Sequence, residues 1–337
     1  MKESLVKHLA CPSCRGELAL TVSCREGKEI AEGRLPCRAC PASYPITRGI
    51  PRFVPTDAYA GSFSYQWTIH RTTQVDSIAG HSESKQAFTV KTGLARQDLQ
   101  GRLVLDVGCG TGRYAEVAAD LDADVVGVDL SYAIDAAYRN MGRRERVHFV
   151  QADVFQLPFR ESTFDAVYSI GVLHHTPNTR EAFLRMPPLV KPGGSVAIWV
   201  YKWDRDFSRG LDRLRPLTTR LPKPLLYAGC WIGVPILHAL AHVPSFRRIS
   251  RWIPTSTQRR GLAWDVLDTF DLYSPKYQWK HDEPEVRRWF EEASLTDVIE
   301  LEFPVSFRGR KPMGWGHAQL AAGKGKRAGA ELQQLPV

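Results

Sequence analysis

The chain has 337 residues, 43% hydrophobic and 24% charged, too long for one small domain and too apolar for a disordered one. Before Cys11 the only apolar pairs are Leu5-Val6 and Leu9-Ala10, too short for a secretory core. A cytoplasmic location is therefore expected, with the seven cysteines read as thiols or metal ligands rather than disulfides. The net charge of +9 sits in one place: Tyr201 to Arg260 holds 12 Lys and Arg against 3 Asp, and the remainder balances at 33 of each sign. Any account of the partner has to explain that segment.

Composition divides the chain into four. Residues 1–56 are rich in Cys, Pro and Gly and lack helical periodicity. Residues 57–200, and again 263–322, alternate short apolar strands with helical segments, the pattern of an α/β fold with a parallel sheet. Residues 201–262 form an insert, and the tail 323–337 is expected to be disordered.

In the first segment, Cys11-Pro-Ser-Cys14 and Cys37-Arg-Ala-Cys40 are two knuckles of like spacing, 22 residues apart. Each places two thiolates on one tight turn, and together they supply four sulfurs for tetrahedral zinc. Cys24 stands between them without a partner and is left out of the ligand set. With Tyr44-Pro45-Ile46 and Gly49-Ile50-Pro51, the segment resembles the small zinc-ribbon proteins that partner and activate tRNA and translation-factor methyltransferases. That resemblance implies a structural Zn2+ with all four positions closed.

The next strong signal is Leu103 to Val107, an apolar strand broken by Asp106, which runs into Gly108-Cys109-Gly110-Thr111-Gly112 and then a helix. Glycines are needed where the backbone turns sharply and must approach a ligand closely. The dinucleotide fingerprint requires its third glycine where Arg113 stands, so that reading is set aside. A second strand ends at Asp129-Leu130, where a carboxylate can accept ribose hydroxyls, and a third ends before Asp153-Val154. A fourth, Phe164 to Ser169, leads into Ile170-Gly-Val-Leu-His174-His175, and Lys191-Pro-Gly-Gly194 turns into a fifth, Ser195 to Val200.

In this order and spacing, D-V-G-C-G-T-G, V-D-L-S, Q-A-D-x-x-x-L-P-F, F-D-x-V, V-L-H-H and K-P-G-G look like the class I S-adenosylmethionine methyltransferases. The nearest group in pattern is the one that holds the quinone C-methylases. The likeness covers residues 101–201 and speaks to the cofactor rather than the acceptor. It implies a Rossmann-like seven-stranded sheet with the insert after strand five. It also implies S-adenosyl-L-methionine bound by Asp106 and the loop of Gly108, Cys109, Gly110 and Gly112 at the methionine end. Asp129 and Leu130 would take the ribose, Asp153 and the Val154 amide the adenine, with Ile170 nearby.

His174 and His175, just past the fourth strand, are the candidate general bases. Tyr65 and Trp67, in the aromatic run Phe63 to Trp67, are read as a lid over the cofactor. They are grouped with Tyr201 and Tyr273 as candidate acceptor contacts, Tyr273 lying in the unusual run Asp268 to Gln278.

The insert decides the expected partner. Arg205, Arg209 and Arg213 share a helix face, and Pro224 to Phe246 contains no charged residue. That length meets the threshold for a membrane span, but Pro235, His238 and His242 stand against one. A helical lid over an apolar pocket is the first reading, and a peripheral membrane contact through 201–262 the second. Arg247, Arg248, Arg251, Arg259 and Arg260 suit an anionic group under either. A small-molecule or lipid acceptor is therefore expected. The alternative is an RNA guanine-nitrogen methyltransferase that binds RNA through the ribbon and the basic insert.

Overall fold

The computed structural model describes residues 1–241, 253, 255, 256 and 261–315, with the side chains of 205–209 and 241 set apart. The arginines from Arg247 to Arg260, His242 and the tail 323–337 lie outside the described residues.

The N-terminal segment folds as a four-stranded antiparallel sheet, β1 (Thr21–Glu26), β2 (Glu29–Pro36), β3 (Ser43–Thr47) and β4 (Ile50–Pro51), in sequential order. A sheet this small buries little on its own, and it leans on a larger neighbour. Its end abuts β7 (Val147–Gln151), the edge strand of the large sheet, through an Arg52–Gln151 bridge in which the Phe53 amide donates to the Gln151 carbonyl at 2.8 Å. A second bridge joins Leu9 to Phe159, with the Ala10 amide donating to the Pro158 carbonyl at 2.9 Å. The Arg52 guanidinium donates to both oxygens of Asp135, and Leu5, Leu9, Ile30 and Phe53 share one hydrophobic core with Val128, Val150 and Phe159. The two sheets are packed as one body.

The large sheet has seven strands in the order β10-β11-β9-β8-β5-β6-β7. β5 (Leu103–Val107), β6 (Asp124–Asp129), β7, β8 (Phe164–Ile170) and β9 (Val190–Trp199) run parallel. β10 (Thr296–Glu300) and β11 (Ser306–Arg310) close one side antiparallel. Reversal of strand order beside β5 makes a crevice at the carboxyl ends of β5 and β8, where ligands bind in such sheets. α1 (Gly61–Ile69), α2 (Asp76–Ala79), α3 (Glu83–Thr92), α4 (Arg96–Leu99), α5 (Arg113–Asp120), α6 (Ala133–Met141) and α7 (Thr179–Leu184) flank the sheet. α11 (Glu283–Glu292) opens with Asp282 as its cap, the carboxylate accepting from the Glu285 amide.

Two details differ from the sequence expectation. β9 starts at Val190 rather than Ser195, because Gly193 and Gly194 exchange hydrogen bonds with Lys311. β11 sits between β9 and β10, and the sequence shows it only as Ser-Phe-Arg-Gly-Arg.

The insert contains α8 (Arg205–Thr218) and α9 (Lys223–Ala241), and α10 (Leu262–Tyr273) follows from its last residue. Leu211, Leu226, Cys230, Val234, Val266, Phe270 and Tyr273 form a separate core between them. Among the described residues, no helix is long and apolar enough to cross a membrane.

Candidate active site

A cavity of 980 Å³ opens at the carboxyl ends of β5, β6 and β8 and extends under α10. It is at the upper end of the size range for ligand sites, with room for two ligands side by side. The glycine loop forms its floor. Gly108 adopts φ +80, and a Cβ there would meet Val172 Cγ1 at 2.3 Å, so only glycine fits. Gly110 lies under the indole of Trp67, whose Nε1 is 3.7 Å from where a Cβ would be. α1 is held in that place by the Tyr132 amide, which donates to Ser64 Oγ at 3.0 Å.

Asp129, at the tip of β6, lines the cavity. Its Oδ2 accepts from the Gly110 amide at 2.8 Å, and its Oδ1 accepts from the Ser131 amide and hydroxyl at 2.7 and 2.6 Å. A carboxylate has about four acceptor positions, so one remains for an incoming hydroxyl. Burial raises its pKa, against the pull of those donors. The cradle that a Cβ would fill and the remaining acceptor position fit a nucleoside with a charged tail.

Of the other residues expected at the cofactor, Cys109, Leu130, Val154 and Ile170 line the same cavity. Asp106 does not. It is 1% exposed beneath the loop, its Oδ2 is without a partner, and burial followed by the nearby Asp129 charge raises its pKa well above the carboxylate range. Gly112 caps α5 from below. Asp153 is engaged as the cap of a short turn, its Oδ1 accepting from the Phe155 amide and the Tyr59 hydroxyl, both at 3.1 Å.

The two histidines part company. His175 lines the cavity, stacked edge-on against Phe63, with its Nδ1 3.0 Å from the Tyr277 carbonyl. That contact requires a proton on Nδ1, so neutral His175 leaves Nε2 as an acceptor, 3.9 Å from Asp271 Oδ2. The Tyr201 hydroxyl donates to the same Asp271 oxygen at 2.8 Å. Burial lowers the His175 pKa while Asp271 opposes it. His174, expected beside it at the mouth, is instead fully buried and absent from the cavity wall. Its Nδ1 accepts from the Tyr201 amide at 3.3 Å, and burial pushes its pKa well down.

Of the aromatic candidates, Trp67 and Tyr201 reach the cavity, whereas Tyr65 packs on Tyr227 and Phe270, and Tyr273 is buried in the insert core. Sequence reasoning missed Tyr59, Trp199, Trp264 and Phe303 in the wall, and did not single out Asp271. The run Asp268 to Gln278 was the available signal for the last. Lys91 sits 3.4 Å over the Trp199 ring, closing the wall on one side.

The four cysteines of the N-terminal sheet come together as the sequence suggests, their sulfurs all within 4.8 Å of one another. Cys11 and Cys40 are 3.7 Å apart and Cys14 and Cys37 3.5 Å, against about 3.8 Å between ligands at Zn–S bonds near 2.3 Å. Gly16 is required beside them, since a Cβ would lie 2.8 Å from the Ala39 Cβ and 3.2 Å from both the Cys14 and Cys37 sulfurs.

Comparison with known proteins bears on both halves. Residues 105–198 match the family described as methyltransferase domain, and residues 2–49 the family described as Trm112p-like protein. The chain carries a class I S-adenosylmethionine-dependent methyltransferase domain behind a Trm112p-like domain. An O-methyltransferase of Penicillium expansum is 36% identical over 116 residues, 33% of this chain and 42% of its own length. A tRNA (carboxymethyluridine(34)-5-O)-methyltransferase of Arabidopsis thaliana is 32% identical over 49% of this chain and 39% of its own. A sterol 24-C-methyltransferase of Aspergillus fumigatus is 38% identical over 31% of this chain and 28% of its own. The chain thus spans about two fifths or less of the length of these relatives. One chain of the complex between the Haloferax volcanii Trm112 methyltransferase activator and a methyltransferase covers 76% of this chain and 100% of its own at 14% identity, TM-score 0.44.

Proposed function

We propose that the chain transfers the methyl group of S-adenosylmethionine to an apolar or ring-bearing small-molecule or lipid acceptor held under α10. The roof of the cavity carries this reading. Beside the glycine loop and Asp129 the cavity is walled by Phe63, Trp67, Trp199, Tyr201, Trp264 and Leu272. Two of the described cations of the insert are turned inward: Arg215 donates to the carbonyls of Leu272 and Pro275, Lys223 to those of Thr219 and Ser274. These two fasten the roof.

The bound sulfonium supplies an activated methyl group with its leaving group built in. The protein's part is alignment and exclusion of water. The loop from Gly108 to Gly112 and Asp129 would hold the cofactor and Asp153 and Val154 would meet its adenine, with Trp67 over the glycine bend. His175 Nε2 takes the proton from an acceptor hydroxyl or nitrogen as the new bond to carbon forms. Asp271 then stabilises the imidazolium. His174 supports Tyr201 and takes no proton. Zn2+ on the four cysteines is structural.

A second reading, methylation of RNA, is the one the comparisons back better. The Trm112p-like match and the tRNA methyltransferases among the relatives both favour it. Sterol and O-methyltransferases at similar identity leave the acceptor open on that ground alone. Labelled methyl transfer into a host extract, separated into lipid, small-molecule and RNA fractions, tests both. Label in the lipid or small-molecule fraction is expected. Label in RNA overturns the first acceptor reading, and failure to bind S-adenosylmethionine overturns the methyltransferase reading itself.

A further inference from the structure

One helix of the insert presents a face that no described part of the chain covers. Along α9, Leu226, Cys230 and Val234 turn inward at every fourth residue and pack against α10. On the opposite side Leu225, Ile232 and Ile236 are 60%, 66% and 53% exposed, and Trp231 is 39% exposed. From Pro224 to Ala239 no exposed residue carries a charge, and the Trp231 indole is the only exposed polar side-chain group. The face is about 17 Å long from Leu225 to Ile236. Scattered surface leucines need no explanation, but a contiguous apolar strip of this kind marks a docking surface.

We propose that this face lies on the surface of an anionic lipid bilayer, with α9 parallel to the membrane plane. Charge selects the occupant. The segment Tyr201 to Arg260 holds the whole net charge of the chain, +9, around this helix in sequence. Two copies meeting through α9 bring two such segments together, whereas an anionic surface attracts one. No described helix is able to span, so the contact is with one leaflet. Trp231 has the amphipathic ring that favours the headgroup level. The inner side of α9 packs on α10, whose Asp268, Asp271 and Leu272 line the cavity. The bilayer therefore lies behind the roof of the site, where a leaflet-dissolved acceptor is close at hand. This last point rests on the lipid reading of the acceptor; the contact itself does not.

The test uses the full chain and vesicles of phosphatidylglycerol with phosphatidylcholine, or of phosphatidylcholine alone, in a flotation gradient. Flotation with the anionic vesicles is expected, falling roughly tenfold or more on neutral vesicles and again when Ile232→Glu and Ile236→Glu are combined. Ile299→Glu, at an exposed position on β10, leaves flotation unchanged. Unaltered melting temperature and S-adenosylmethionine binding show that the paired variant is folded. No flotation of the parent, or flotation indifferent to the two glutamates, overturns the proposal. So does a dimer that the two glutamates split in the absence of flotation, which assigns the face to a second copy. Cofactor binding persists in each of these cases, so their outcome is separate from that of the methyltransferase reading.

Discussion

Gly108→Ala puts the central feature of the site at risk with a single methyl group. The residue adopts φ +80, a conformation that costs an L-residue about 1 kcal/mol or more. The added Cβ also lies 2.3 and 2.5 Å from the two γ-carbons of Val172, inside any tolerated contact. Overpacking of that kind costs about 1–3 kcal/mol when neighbours must shift. Together the two effects come to about 2–4 kcal/mol. The loop is anchored by its Gly108 amide to the Val128 carbonyl at 2.7 Å and by the Gly110 amide to Asp129, so strain is relieved by lifting the loop off the cofactor position. At about 1.4 kcal/mol per decade, S-adenosylmethionine affinity falls roughly 30-fold to several hundred-fold. Calorimetric titration measures it, alongside the melting temperature. Val172→Ala removes both clashing γ-carbons and leaves Val172 Cβ at 2.8 Å, so the double variant recovers part of the loss. Affinity within threefold of the parent for Gly108→Ala refutes the cradle. No recovery in the double variant refutes Val172 as its cause.

Three further outcomes rest on the same geometry. Cys37→Ser, or exhaustive chelation, destabilises the whole chain in a single transition rather than the N-terminal sheet alone, because Leu5, Leu9 and Phe53 share a core with Phe159; two separated calorimetric transitions contradict this. His148 has its pKa lowered to about 4, burial being the largest cause, with Lys2 and His8 next. The unfolded chain therefore takes up this proton first as pH falls below about 6.5, and stability is lost from there to about pH 4, by about 3 kcal/mol. Asp106 and Asp129 have raised pKa values and act in the opposite sense, so the measurement is the flattening of the acid slope in His148→Gln relative to the parent, by urea midpoints. His175→Gln lowers methyl transfer about 100-fold and removes the acidic limb of its pH profile, whereas His174→Gln leaves that limb in place and lowers the melting temperature; equal loss of the limb in both variants excludes the assignment of His175 alone.

The fold was legible where a local rule governs it. Strand runs between Leu103 and Val200, the start of β9 apart, read correctly because a parallel sheet buried on both faces leaves continuous apolar stretches, and the loop glycines stand where φ is positive. The cysteine spacing sufficed for the four-sulfur cluster. What failed was long-range. His174 and His175 are adjacent and alike in sequence, yet a short helical turn sends one ring inward under Tyr201 and the other toward the cavity. Position at strand ends also did not show that Asp106 lies sealed beneath the loop, or that Asp153 holds Tyr59 and a turn amide through one oxygen. β11 was invisible because a strand of Ser-Phe-Arg-Gly-Arg owes its place to neighbours: Gly309 lets the ring of Phe290 approach, and Phe307 joins the main core.

The charge of the insert is only partly spent within the fold. Twelve basic residues in one segment suggest a polyanion. Two of the twelve serve the fold itself, the Arg215 fork on two carbonyls at the end of α10 and Lys223 on two more, while Lys280, outside the segment, pairs with Asp212 of α8. These contacts turn the helices so that their apolar side chains point two ways at once, inward to the core of Phe270 and Val234 and outward along Leu225, Ile232 and Ile236. The outward set fits the proposed lipid surface better than an RNA groove. The proposed roof, closing over an apolar acceptor and resting on lipid, would use both.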